Sequence, residues 1–231
     1  MTGSPHTFSG FLTGNALKIL AAVFMTIDHM GLMLFPGVPL FRILGRLALP
    51  IFAYMIAEGC KYTRNRKRYF AMVFGLGVIC QTVYFFFDGS MYLSILITFS
   101  LSILTVYSLQ YARAKNNAPG WLVFAGTAAT VYMLNQILTI DYGFWGCMLP
   151  VFAALPHGTK WDSRRISCLA LGLGLIPLAL SLKGYQVYAL LALPLLLCYN
   201  GSRGKWNMKY FFYIFYPTHL VILQALAMIP A

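Results

Sequence analysis

Six ionisable side chains, Asp28, His29, Arg42, Arg46, Glu58 and His219, stand inside long apolar runs of the chain. At membrane depth each costs a few kcal/mol unless it is paired or faces water. Six of them exceed what packing alone explains. His29 has the chemistry of a general base that works near neutral pH. Lys18 precedes it by eleven residues, which on a helix is within about 20° of the same face and ~16 Å along the axis. That length is comparable to a phosphopantetheine arm, so a cation at the rim would meet the phosphates of coenzyme A while the imidazole meets its thioester. The same spacing also fits a snorkelling lysine and a histidine held by a structural hydrogen bond.

Asp28 points roughly 100° around the helix from His29, so it is expected to face an arginine of another helix rather than to orient the imidazole. Arg42 and Arg46 are the candidates. They lie one turn apart with Gly45 between them, and their forked guanidinium groups suit a carboxylate, a phosphate or a developing oxyanion. A buried ion pair that locks two helices uses the same residues. Glu58 ends this stretch and runs into Lys61, Arg64, Arg66, Lys67 and Arg68, five cations within eight residues. Such a run is a topology signal, an anionic-lipid contact, or a site for nucleotide phosphates. His219 follows Pro217 in an aromatic-rich stretch, where an imidazole can also satisfy a carbonyl that proline frees. The segments DYGFWG (141–146) and NGSRG (200–204) read as plain turns.

The elements that must carry these groups follow from composition. Of the 231 residues, 60% are hydrophobic and only 10% charged, against about 45–50% and roughly 25% in soluble domains. A water-soluble fold is excluded. Nine candidate spans emerge, at 16–35, 39–60, 69–87, 91–112, 120–139, 142–156, 166–182, 185–199 and 210–229, in an all-α transmembrane bundle forming one domain over 1–231. The sixth and eighth are short and hold Pro150 and Pro194, so they are expected to be tilted, broken or re-entrant.

The net charge of +12 belongs to topology, not to nucleic acid. Lys18, Lys61, Arg64, Arg66, Lys67, Arg68, Arg113, Lys115, Lys160, Arg164, Arg165, Arg203, Lys205 and Lys209 fall on one side, and Lys183 on the other beside Asp88 and Asp141. By the positive-inside rule the N-terminus is cytoplasmic and the C-terminus extracytoplasmic. The first apolar run contains Asp28 and His29 and follows no basic segment, so it reads as a retained span rather than a signal peptide. The five cysteines have no CxxC spacing and read as packing residues; no metal is expected.

In these stretches the chain resembles the TraX family, membrane acetyltransferases named for N-terminal acetylation of conjugative F-type pilin. The matching segments are LKILAAVFMTIDHMG (17–31), FRILGRLALPIFAYMIAEG (41–59) with TRNRKRY (63–69), DYGFWG (141–146), LLLCYNGSRG (195–204) and KYFFYIFYPTHL (209–220). Ser94 stands where a family-like LNILFT segment would carry Asn. The chain is more distantly similar to the type 3 membrane acyltransferases, which share a basic residue, ten intervening residues and a His, here Lys18 and His29, and a terminal aromatic-rich span ending in His, here His219.

The resemblance implies a multi-pass protein of the cytoplasmic (inner) membrane. It would take acetyl from cytoplasmic acetyl-CoA, as co-substrate, to an amine or hydroxyl of an extracytoplasmic acceptor: a peptide, glycan or small molecule. His29 is then expected as general base and His219 as its partner or alternative. Arg42 and Arg46 would hold Asp28 or the acceptor. Lys18, Glu58, Arg64, Arg66, Lys67 and Arg68 would form the donor site, with membrane lipid as the other partner. A small proton-coupled or anion transporter using the same buried groups is the alternative, and a scaffold locked by those charges is a third; the lack of an obvious inverted repeat counts against transport.

Overall fold

The computed structural model describes residues 10–89, 91–205 and 208–228. Its helices in chain order are α1 (Gly14–Met33), α2 (Pro39–Gly45), α3 (Ala48–Tyr62), α4 (Arg66–Asp88), α5 (Ile95–Lys115), α6 (Ala118–Ile137), α7 (Gly143–Ala154), α8 (Arg164–Leu182), α9 (Ala192–Leu197) and α10 (Lys209–Ala227), with a 3₁₀ helix over Gly184–Leu191 leading into α9. No named strand occurs among the described residues. Two isolated parallel bridges, Leu12 with Tyr199 and Leu93 with Ile140, join loops that are far apart in sequence.

Local chemistry sets the helix ends. Thr13, Asn65, Asn117 and Ser163 each place a side-chain oxygen on a free N–H of the following first turn, which satisfies one of the orphan donors there. α4 stops at Gly89, in the left-handed conformation with φ 62° that glycine adopts without cost. The 39–60 stretch forms two helices rather than one. Pro50 has no N–H and its ring crowds the carbonyl four residues back, that of Arg46, and the joint between α2 and α3 falls at Arg46–Leu47.

α3 is the central element, packed by α1, α5, α7 and α8, and its Ile51, Ala53, Tyr54 and Ala57 are buried. α8 reveals the surroundings. Cys168, Leu171, Leu175 and Leu178 line its inner face at 0–1% exposure, while Leu169, Leu173, Ile176 and Leu180 are 49–72% exposed on its outer face. A helix apolar all round, with half its large side chains outside, is stable only where that outside is lipid. This is a membrane protein. Among the described residues five segments are long and apolar enough to cross: α1, Pro39–Tyr62, Arg66–Phe86, α5 and α8. α7 has 12 residues, about 18 Å at 1.5 Å per residue, and the eighth stretch is broken into its 3₁₀ and α parts, as Pro194 led one to expect.

Candidate functional site

α1 carries Asp28 and His29 on its last turns, and the α2–α3 joint brings both arginines to Asp28. Arg46 Nη2 donates to both carboxylate oxygens at 2.6 and 2.8 Å. Arg42 Nη1 lies 2.9 Å from Oδ2 and donates to the Asp28 carbonyl at 3.1 Å. The approach requires Gly45, because a Cβ there would overlap the Asp28 side chain. Arg46 is fully engaged: its Nε donates to the Arg42 carbonyl, and its Nη1 to the Tyr142 hydroxyl and Gln186 Oε1. The sequence reading that Asp28 faces Arg42 or Arg46 is met by both.

His29 and His219 meet across the bundle. His29 Nδ1 lies 3.1 Å from His219 Nε2, and His219 Nδ1 lies 2.9 Å from the Phe215 carbonyl. A carbonyl only accepts, so His219 Nδ1 carries the proton and donates. In the neutral ring Nε2 is then an acceptor, and His29 Nδ1 must donate to it. This leaves His29 Nε2 with a free lone pair. The ring of Phe215 stacks on His219 with centroids 4.9 Å apart and planes 8° from parallel, which fixes the orienting imidazole in turn.

A cavity of about 70 Å³ lies beside this pair, lined by Asp28, His29, Tyr84, Ser94, Asp141, Tyr142, His219 and apolar neighbours including Met25, Phe52 and Leu220. Since about 10–15 Å³ by this measure admits one water, the space suits a small polar group such as an acetyl unit. Part of its lining comes from two loops whose pairing leaves no sequence signal. Leu93 and Ile140 pair, with Leu93 N–H donating to the Thr139 carbonyl and Asp141 N–H to that of Leu93. Thr98 Oγ1 donates to the Asp141 carbonyl at 2.8 Å, and the Tyr92 hydroxyl donates to the Asp141 carboxyl at 3.0 Å. Burial pushes the Asp141 carboxyl up to about 6, against the pull of Tyr92 and Arg46.

Asp141, Tyr142, Ser94 and Gln186 are thus site residues that read as turn or span fillers in the sequence. The signal available for the first two was the DYGFWG segment. Tyr142 has φ 59°, a left-handed conformation uncommon for an aromatic residue and typical of functional turns.

The expected donor residues separate into three places. Lys18, on the first turns of α1, lies near Arg203 of the 200–204 loop. That loop is tied to α1 by Gly14 and Asn15 N–H donating to the Ser202 and Arg203 carbonyls. Arg64, Arg66, Lys67 and Arg68 are exposed at the start of α4, with the Arg66 guanidinium 5.2 Å from the Tyr107 ring centroid. Glu58, although near Lys61, points into the bundle rather than to the exposed cations of α4. It is buried and accepts a hydrogen bond from the Tyr199 hydroxyl at 3.4 Å, with His157 Nε2 3.9 Å away. The reason is register: Ile51, Tyr54 and Glu58 follow each other by three and four residues on the inner stripe of α3. His157, on the loop after α7, is held down to about 4, chiefly by burial and then by Lys61. Among the described residues no His, Cys, Asp and Glu cluster of metal-binding size occurs, and the five cysteines are free, four of them buried.

Fold and site together define an all-helical integral membrane protein whose buried polar centre combines a histidine pair with an aspartate–diarginine cluster. The family model described as TraX protein matches residues 13–227. The chain belongs to the TraX family. It is 26% identical to a probable fimbrial assembly protein FimC, serogroup H1, of Dichelobacter nodosus, over 90% of this chain and 92% of the relative. It is 25% identical to Protein TraX of Escherichia coli, over 92% of this chain and 86% of that protein. An uncharacterised Rickettsia prowazekii protein is 53% identical over 38 residues, 16% of this chain and 15% of that protein. No solved structure matches the chain significantly.

Proposed function

We propose that the protein is a membrane-embedded acetyltransferase moving acetyl from cytoplasmic acetyl-CoA to an amine or hydroxyl of an extracytoplasmic acceptor, in a pilus- or envelope-related process. The observation that carries this reading is the free lone pair of His29 Nε2, oriented by His219 and the Phe215 carbonyl and placed beside a cavity of acetyl size. The acceptor's nucleophilic atom attacks the thioester carbon as His29 Nε2 takes its proton. The tetrahedral carbon then expels the coenzyme A thiolate, which recovers that proton from the imidazolium. Asp28, neutralised by Arg42 and Arg46, fixes the helix that carries the base. Lys18, with Arg203, receives the donor's phosphates through charge-assisted hydrogen bonds, and the exposed Arg64, Arg66, Lys67 and Arg68 draw the anionic donor to that face. The protein then lies in the cytoplasmic membrane with nine spans, its N-terminus inside and its C-terminus outside. Relatives named for TraX and for fimbrial assembly support the pilus-related setting.

Purified protein in detergent, incubated with acetyl-CoA and a cell-envelope extract, should release free thiol, and His29→Ala should abolish the release while inserting normally. Solute uptake into liposomes without thiol release would replace this reading by transport.

A further inference from the structure

Negative charge develops on the acetyl oxygen when the acceptor attacks, and some group must meet it. Neither arginine lines the cavity; Arg46 spends its donors on Asp28, Arg42, Tyr142 and Gln186, and Arg42 Nη1 is held by Asp28. The α5 end of the cavity lining offers another device. Ser94 is the N-cap of the 21-residue helix α5, with the extended backbone of a cap but no side-chain capping bond. Its hydroxyl is buried and without a hydrogen-bond partner, and the residue itself is 6% exposed. Its backbone is fixed from the other side, the Ser94 N–H donating to Gln81 Oε1 at 3.1 Å.

A buried hydroxyl left unpaired at a position where it would ordinarily cap the helix calls for an explanation. The next two residues, Ile95 and Leu96, also line the cavity. Their N–H groups open the helix, so they have no intrahelical acceptor, and they find none elsewhere among the described residues. The partial positive charge of the helix N-terminus falls on the same spot. Asp141 stands nearby, with the Tyr92 hydroxyl and the Arg46 guanidinium offsetting its charge.

We propose that the N-terminus of α5, through the Ser94 hydroxyl and the Ile95 and Leu96 N–H groups, is the oxyanion site of the transfer. The inference rests on the acetyl-transfer reading above. As the acceptor atom bonds to the acetyl carbon, the carbonyl π pair moves to oxygen and is held at α5, while the acceptor's proton passes to His29 Nε2. The pair then returns, the carbon–sulfur bond breaks, and the thiolate takes the proton from His29.

The test uses purified full-length protein, acetyl-CoA as donor, hydroxylamine or the envelope extract as acceptor, and acetonyl-CoA as a non-transferring ketone probe of binding. Ser94→Ala should lower kcat on the order of a hundredfold, the usual effect of losing one oxyanion donor, with the Kd for acetonyl-CoA changed less than about twofold. Ser94→Thr, which keeps the hydroxyl, should retain most of the turnover. Unchanged kcat in Ser94→Ala overturns the assignment, as does a loss of acetonyl-CoA affinity in step with kcat. If Ser94→Ala does not fold, Ser94→Cys carries the same comparison with a weaker donor. Wild-type protein that releases no His29-dependent thiol with either acceptor overturns the acetyl-transfer reading itself, and the oxyanion site with it.

Discussion

His29 Nδ1 and His219 Nε2 are 3.1 Å apart although 190 residues separate them in the chain, and the carbonyl of Phe215 decides which of them carries the shared proton. His29→Ala should therefore cost 10²–10⁴ in kcat, the usual range for a general base. His219→Ala should lower kcat about 10- to 100-fold, since the base survives but loses its orientation. His219→Gln, which keeps an acceptor for His29 Nδ1, should recover part of that loss. Equal and complete inactivity of both alanine variants, in protein that still binds acetonyl-CoA, would make His219 a participant in proton transfer instead of a positioning residue.

Removing Arg46 leaves Asp28 with one guanidinium and frees Gln186 and Tyr142 from theirs. Truncating one partner of a buried charge pair typically costs about 3–5 kcal/mol, so Arg46→Ala should lower the unfolding temperature in detergent by many degrees. Arg46→Lys should rescue little of it, because one ammonium cannot reproduce the fork. Gly45→Ala should behave like a weakened Arg46→Ala, since its Cβ would occupy the space of the Asp28 carboxylate. A Gly45→Ala protein as stable as wild type would show that α1 and α2 can separate without breaking the cluster.

Asp141 gives a pH dependence of definite sign. Its folded value of about 6, raised by burial, exceeds the ordinary 3.8. Between these values the folded chain holds more proton than the unfolded one, so this residue's contribution to stability falls as pH rises from about 4 through 6 and is level above. Asp141→Asn should remove that limb, leaving a smaller difference in unfolding temperature between pH 4.5 and pH 7. The two profiles, measured in the same detergent, should cross or converge toward low pH; parallel profiles would show that Asp141 ionises at its ordinary value.

Lys18 should affect the donor more than the chemistry, which lies ~16 Å further along the helix by its rise. Lys18→Ala is expected to raise the KM for acetyl-CoA about tenfold, the loss of roughly one charged hydrogen bond, with kcat changed less. The defect should grow with ionic strength as the remaining exposed cations are screened. Salt-independent kinetics with an unchanged KM would leave Lys18 a structural neighbour of Arg203 alone.

Much of this site was legible because burying charge is costly. Asp28, Arg42 and Arg46 in apolar runs had to find each other, and the periodicity of α1 already turned Asp28 away from His29. Ser94 and Asp141 were not legible for the opposite reason. They are brought to the cavity by a backbone bridge between Leu93 and Ile140, a contact that leaves no periodic trace in either loop. The burial of Glu58 follows from the Ile51–Tyr54–Glu58 spacing on α3 rather than from its sequence proximity to the basic run. The break between α2 and α3 follows from Pro50 acting four residues upstream, an effect that a hydropathy window averages away.

The pairing of α1 with α10 also fixes when the protein can begin to work. His29 leaves the ribosome about 10–40 s before His219 at synthesis rates of ~5–20 residues per second, so for that interval the base has no orienting partner. If His29 is the base proposed above, the nascent chain inserts α1 with that imidazole unoriented, and full turnover should await α10. Chains shortened before Phe215 should therefore insert but turn over no faster than His219→Ala.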